Sequence, residues 1–239
     1  MIQPLVLVVP PPLLSSRWLT LLSSLLPRVR ALGPRSLVLA VLISTACGTT
    51  KPPLVDFSSA RRDYGSTDYP EVYQRWTRHE KVVSQTESAL EMWATFRSLD
   101  FRDAFVAHYA EAYALNAADR DRLLQAQRDA AGAAYEFLIT AQSANYRWND
   151  LEKKSSPWRV TLRDGAGDEL EPDELRVEKL PDMFEREFYP AKTPFTKTYF
   201  ARFSRTPDQD AAFEGERTGS IVLRFAGPLG HADLRWDNR

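Results

Sequence analysis

The chain has 239 residues, with 31 Lys or Arg against 32 Asp or Glu and a net charge of -1. That balance argues against a nucleic-acid binder, which carries a basic stripe, and a single cysteine excludes an intrachain disulfide. The first 46 residues hold four arginines and no acid, which leaves 27 basic and 32 acidic residues behind them and a charge near -5.

Residues 1–46 read as a leader and export signal. The apolar stretch Leu5 to Leu14 is broken by Pro10, Pro11 and Pro12, which do not suit a membrane helix. Residues 1–28 therefore fit a misassigned start, with initiation at Val29 leaving a signal of about 18 residues. Arg28, Arg30 and Arg35 precede the apolar run Leu37 to Ile43, and the small residues Ser44, Thr45 and Ala46 lead to Cys47-Gly48. Here the chain resembles the bacterial lipoprotein class, although that class usually has Leu, Val or Ile where Ser44 stands. The resemblance implies cleavage before Cys47 and acylation (palmitate among the chains) of its thiol and new amino group. It also implies attachment to the membrane through that anchor. Gly48, where an aspartate would signal inner-membrane retention, implies the outer membrane, with the domain facing the periplasm.

Residues 47–67 read as lipid anchor and tether, rich in Pro, Ser, Asp, Arg and Gly, with Phe57 and Tyr64 able to dock on the domain. Residues 68–150 read as a helical region. Asp68-Tyr69-Pro70-Glu71 has the form of a capped helix start, and Tyr69, Val72, Tyr73, Trp76, Val83, Leu90, Trp93 and Ala94 recur at threes and fours. Asp100 and Asp103 suggest a second start, and Asn116 with Asp119 a third. From there a face through Leu123, Leu124, Ala131, Ala134, Leu138 and Ala141 predicts one long helix. Gly132 and its neighbouring alanines predict close approach to another element.

At Ser156-Pro157 the period changes to two. Residues 156–239 predict strands at Trp158 to Leu162, Leu175 to Val177, Phe184 to Tyr189, Tyr199 to Phe203, Ile221 to Phe225 and Ala232 to Trp236. The fold class expected is α+β: an antiparallel helical hairpin or three-helix unit packed with an antiparallel β-sandwich. That sandwich resembles the immunoglobulin-like class in its strand pattern alone.

No motif for catalysis stands out. His79, His108 and His231 lack metal-ligand spacing, no GxSxG is present, and Glu185 and Glu187 sit too close in sequence for a glycosidase pair on a strand. No catalytic residue, metal or cofactor is expected. Tyr69, Tyr73, Trp76 and Trp93 form the candidate surface for a ligand or partner. The leading expectation is a non-catalytic envelope scaffold or adaptor for an envelope protein. The alternatives are a periplasmic binding module for a small apolar or glycan ligand, with a pocket between helices and sheet, and an exported hydrolase.

Overall fold

Leu90, Met92, Ala94 and Phe96 are all buried, and their even spacing lays them on one face of a strand. The computed structural model describes residues 52–85, 87–205 and 213–239; the export signal and Cys47 lie outside the described residues. The described elements run α1 (Tyr69–Trp76), β1 (Thr77–Ser84), β2 (Glu87–Phe96), α2 (Leu99–Ala112), α3 (Ala117–Ala133), β3 (Ala134–Gln142), β4 (Arg159–Asp164), β5 (Glu169–Leu170), β6 (Glu174–Val177), α4 (Asp182–Phe188), β7 (Lys197–Ser204), β8 (Ser220–Gly227) and β9 (Gly230–Asp237). The fold is α+β with two antiparallel sheets, one ordered β1-β2-β3-β7-β6 and the other β5-β4-β8-β9.

The region expected to be helical departs from that expectation in two places. The first helix stops at Trp76, and the chain turns into the β1–β2 hairpin. Thr77 and Thr95 share a hydroxyl hydrogen bond of 2.8 Å across it. Val83, counted on the helical stripe, lies beside a register irregularity and is 59 % exposed. The second departure is at Ala134, where helix gives way to β3. This strand is central and covered on both faces, so burial runs through it without a period, Glu136 and Thr140 included. Gly132 stands in the last turn of α3, and a Cβ added there would meet nothing within 4 Å, so the close approach expected there does not occur. Residues 68–150 and 156–239 are consequently not separate layers: β1, β2 and β3 join β6 and β7 in one sheet.

Capping also differs in detail. The Asp68 carboxylate accepts from the Gly65 amide, and the cap of α2 is Ser98, whose Oγ accepts from the Phe101 amide. Asp100 and Asp103 lie within α2, buried, and their carboxylates bond to Trp76 and Arg128 instead of capping it. Asn116 caps α3 as expected, accepting from the Asp119 amide at 2.9 Å. Phe184 to Tyr189, expected as a strand, is the helix α4, in which Phe184 and Phe188 stack one turn apart at 4.5 Å.

Each face of the larger sheet has its own partner. Leu90, Met92, Phe96, Phe137, Ile139, Tyr199 and Phe203 share one face by register. It meets the inner side of the smaller sheet, where the Trp236 ring lies 5.4 Å from Phe137 and 6.1 Å from Phe96. In the smaller sheet Ile221, Leu223 and Phe225 point inward and are fully buried, while Arg224 pairs with Asp233 on the outer side. On the opposite face of the larger sheet Glu136 bonds to Arg102 of α2, and Thr198 to Glu185 of α4. Gly230 closes the β8–β9 hairpin at φ +132°, where a Cβ would also strike Val82 at 2.8 Å.

The segment preceding α1 lies against the domain. Val55 is fully buried, bridges Asn238 in parallel, and donates to the Asp237 carbonyl. The Tyr64 hydroxyl donates to Asp100, and the Arg62 amide to Asp103. The Pro53 carbonyl accepts from Arg78. Arg78 is 5 % exposed, and its guanidinium also donates to the carbonyls of Arg75, Thr77 and Arg235. Burial lowers its pKa to about 10, although Asp237 acts in the opposite sense.

Replacing Arg78 by Met would leave these carbonyls without their donor. The loss expected is about 3 kcal/mol or more of unfolding free energy. Urea unfolding of wild type and Arg78→Met measures it, and an unchanged midpoint would show that the guanidinium does not hold these segments.

Candidate functional site

The four aromatics expected at a surface are mostly core. Tyr69, Tyr73 and Trp76 are 2 %, 8 % and 0 % exposed, because α1 is pinned between α2 and the sheet edge. The Trp76 indole donates to Asp100 at 2.7 Å, and the Tyr69 hydroxyl to the Phe188 carbonyl at 2.7 Å. Trp93 alone of the four is only partly buried, stacked on His79 at 4.5 Å on the β1–β2 hairpin. These residues do not come together as a binding surface.

Other residues weighed from sequence are dispersed. His79 contacts Glu91, and His108 contacts Glu187 while stacking on Tyr69. Glu185 is buried against Lys192 and Thr198, whereas Glu187 is exposed beside His108, so the two do not form a pair. The amides of Ala166, Gly167 and Asp168 are all taken by Asp164 Oδ1, so that turn is filled by the chain's own carboxylate. Among the described residues no group of three or more His, Cys, Asp or Glu is placed to hold a metal ion. Among them, too, no helix is long and apolar enough to cross a membrane.

What the fold does assemble is a cleft of about 380 Å³ between the larger sheet and helices α2, α3 and α4. Its size falls in the lower part of the range for small-molecule sites. Phe105 of α2, Phe184 of α4, Leu138 of β3 and Phe200 of β7 give it apolar walls. At its polar end Arg102, 1 % exposed, donates to Glu136 at 2.7 Å, to Gln127 at 2.7 Å and to the Arg97 carbonyl at 2.8 Å. Arg97 reaches the same two acceptors at 3.2 and 3.1 Å, so two guanidiniums share one carboxylate. Desolvation, together with the neighbouring Arg97, lowers the Arg102 pKa to about 10, against the pull of Glu136. Arg176 lies over the Phe200 ring at 4.8 Å and pairs with Glu174 and Glu178.

A wider groove of about 590 Å³ lies by Pro157, Trp158, Glu171 and Pro172. The smaller cleft is the better candidate, because buried charge and apolar walls converge in it. Sequence reasoning missed it because α2 and α3 lie between Arg97 and Glu136, and Glu136 falls in a stretch that reads as helix.

Removing the shared carboxylate tests how much the cluster depends on it. Glu136→Gln should lower stability by about 3 kcal/mol, since the buried Arg102 guanidinium and the partly buried Arg97 would face each other without a counter-charge. Gln127→Ala should cost about 1 kcal/mol. Chemical denaturation of both variants checks the order, and equal losses would refute it.

No family model and no curated protein matches the chain. A solved structure from Burkholderia pseudomallei K96243, described as a novel protein of unknown function, aligns at 16 % identity and a TM-score of 0.36. It covers 75 % of this chain and 94 % of its own. At that TM-score the likeness carries no argument.

Proposed function

We propose that the domain is a periplasmic binding module for a small ligand with an apolar body, held at the outer membrane by lipid on Cys47. The observation that supports the binding role is the helix–sheet cleft, with aromatic and aliphatic walls and a fixed polar end. The anchor rests on the order of Arg35, the apolar run Leu37 to Ile43 and Cys47. The two-sheet frame, a variant of the sandwich suggested by the strand pattern, would serve as rigid backing for the cleft.

A second reading, an adaptor for an envelope partner, draws on Met183 and Phe195, which are 80 % and 84 % exposed. An adaptor needs no ligand in the cleft, and the two readings separate on that point.

Ala130 lines the cleft from α3 and is partly exposed, so a larger side chain there fills the space without entering the main core. Native mass spectrometry of protein released gently from membranes should show a co-purifying small molecule on wild type. Ala130→Trp should lose it while melting within a few degrees of wild type. A ligand-free wild type, or equal loading of both proteins, would favour the adaptor.

The anchor has its own test. Cells labelled with a palmitate analogue should incorporate label into wild type and not into Cys47→Ala, which should leave the membrane fraction. Unlabelled wild-type protein would refute lipidation at Cys47.

A further inference from the structure

We infer that two copies of this chain associate through the free edge of β6. They pair antiparallel about a two-fold axis at Val177, with Arg176 of each copy facing Glu178 of the other. This goes beyond the binding role proposed for the cleft and does not depend on it.

The two sheets end in the strands β1, β6, β5 and β9. Three of these edges are closed to a newcomer. β9 takes Val55 of the leading segment, β1 is interrupted by its irregularity between Val82 and Val83, and β5 is two residues long. β6 is different. The Glu178 amide donates to the Thr198 carbonyl of β7, so Glu174, Arg176 and Glu178 turn their backbone groups inward. Leu175, Val177 and Lys179 turn theirs outward, and those groups have no partner among the described residues. The charges on this edge repel most strands that could join it, and for that reason they select the partner.

A two-fold pairing must set outward residues against outward residues, which leaves few registers. Centring on Arg176 opposes Arg176 to Arg176 and Glu174 to Glu178, like charge on like. Centring on Glu178 opposes the two Glu178 carboxylates. Centring on Leu175 sets Val177 against Asp173, whose amide already donates to the Arg202 carbonyl and whose carboxylate accepts from the Ser204 amide. Centring on Val177 opposes Val177 to Val177, Leu175 to Lys179 and Arg176 to Glu178. Arg176 and Glu178 then fall in the close, non-hydrogen-bonded positions, where side chains across a strand pair are nearest. Arg176 is exposed and already touches Glu178 of its own chain. Joining the copies closes a ring in which each of these charges has an opposite on both sides. The seam would add about six backbone hydrogen bonds.

Sedimentation equilibrium of the full chain carrying Cys47→Ala, over a series of concentrations, tests the seam free of acyl chains and of any intermolecular disulfide. Wild type in this background should be a dimer that dissociates on dilution. Val177→Pro removes an outward amide and spares the β6–β7 ladder, so it should melt within a few degrees of wild type and sediment as a monomer. Arg176→Glu and Glu178→Arg should each weaken association at least about tenfold, and the two together should restore it. A wild type that stays monomeric at every concentration would overturn the association. A dimer indifferent to all three substitutions would overturn β6 as its seam. Loss in the single charge swaps without recovery in the double would overturn the register.

Discussion

A buried guanidinium without a carboxylate partner is the constraint around which this fold closes. Arg78 reaches the carbonyls of Pro53, Arg75, Thr77 and Arg235, one each from the leading segment, the end of α1, the start of β1 and the strand β9. Those groups come from parts of the chain about 180 residues apart, and no shorter or less branched side chain has the donors to meet them together. Burying the charge is unfavourable, and four acceptors with the Trp236 ring at 5.5 Å offset that cost. Neighbouring indoles extend the junction: Trp236 donates to the Trp76 carbonyl, and Trp76 donates to Asp100 in the first turn of α2. One connected set of polar bonds thus runs from the smaller sheet through the larger sheet's edge to the helices.

The two faces of the larger sheet do different work. The face toward the smaller sheet is almost wholly aromatic and aliphatic, and its job is cohesion. The face under the helices mixes Leu138 and Phe200 with Glu136, Thr140 and Thr198. A purely structural interface has little use for such groups, since each must find a partner once covered. Most have one, in Arg102, Glu185 or Lys192. Glu136 meets Arg102 at the polar end of the cleft, so that end is built of paired charge set against apolar walls.

The strands with one wet face were legible from sequence. Ala232, Leu234 and Trp236 alternate with exposed positions, and Ile221, Leu223 and Phe225 keep the same spacing although Val222 between them is buried, so period two is visible where water bathes one side. The strands buried on both sides were not. In β3 nearly every side chain is covered, which erases the alternation, and Ala134, Leu138 and Ala141 then happen to fit a helical count. In β2 the even-numbered apolar residues did carry the period, but Leu90, Trp93 and Ala94 continued the spacing of Tyr73 and Trp76 and hid it. Capping signals fared better, since a cap needs only its local chain: Asn116 was readable, while Asp100 and Asp103 were drawn into tertiary bonds no local pattern reveals. The cleft was illegible for the same reason. Its polar end exists only once α2, α3 and β3 are in register.

The docked leading segment has a mechanical consequence. Pro53 is gripped by Arg78 and Val55 is built into the edge beside Asp237, so the chain loses its freedom there and not at residue 67. A pull on the chain ahead of Pro53 would therefore be borne first by the Arg78 hydrogen bond and the Val55–β9 bridge, and only afterwards by α1.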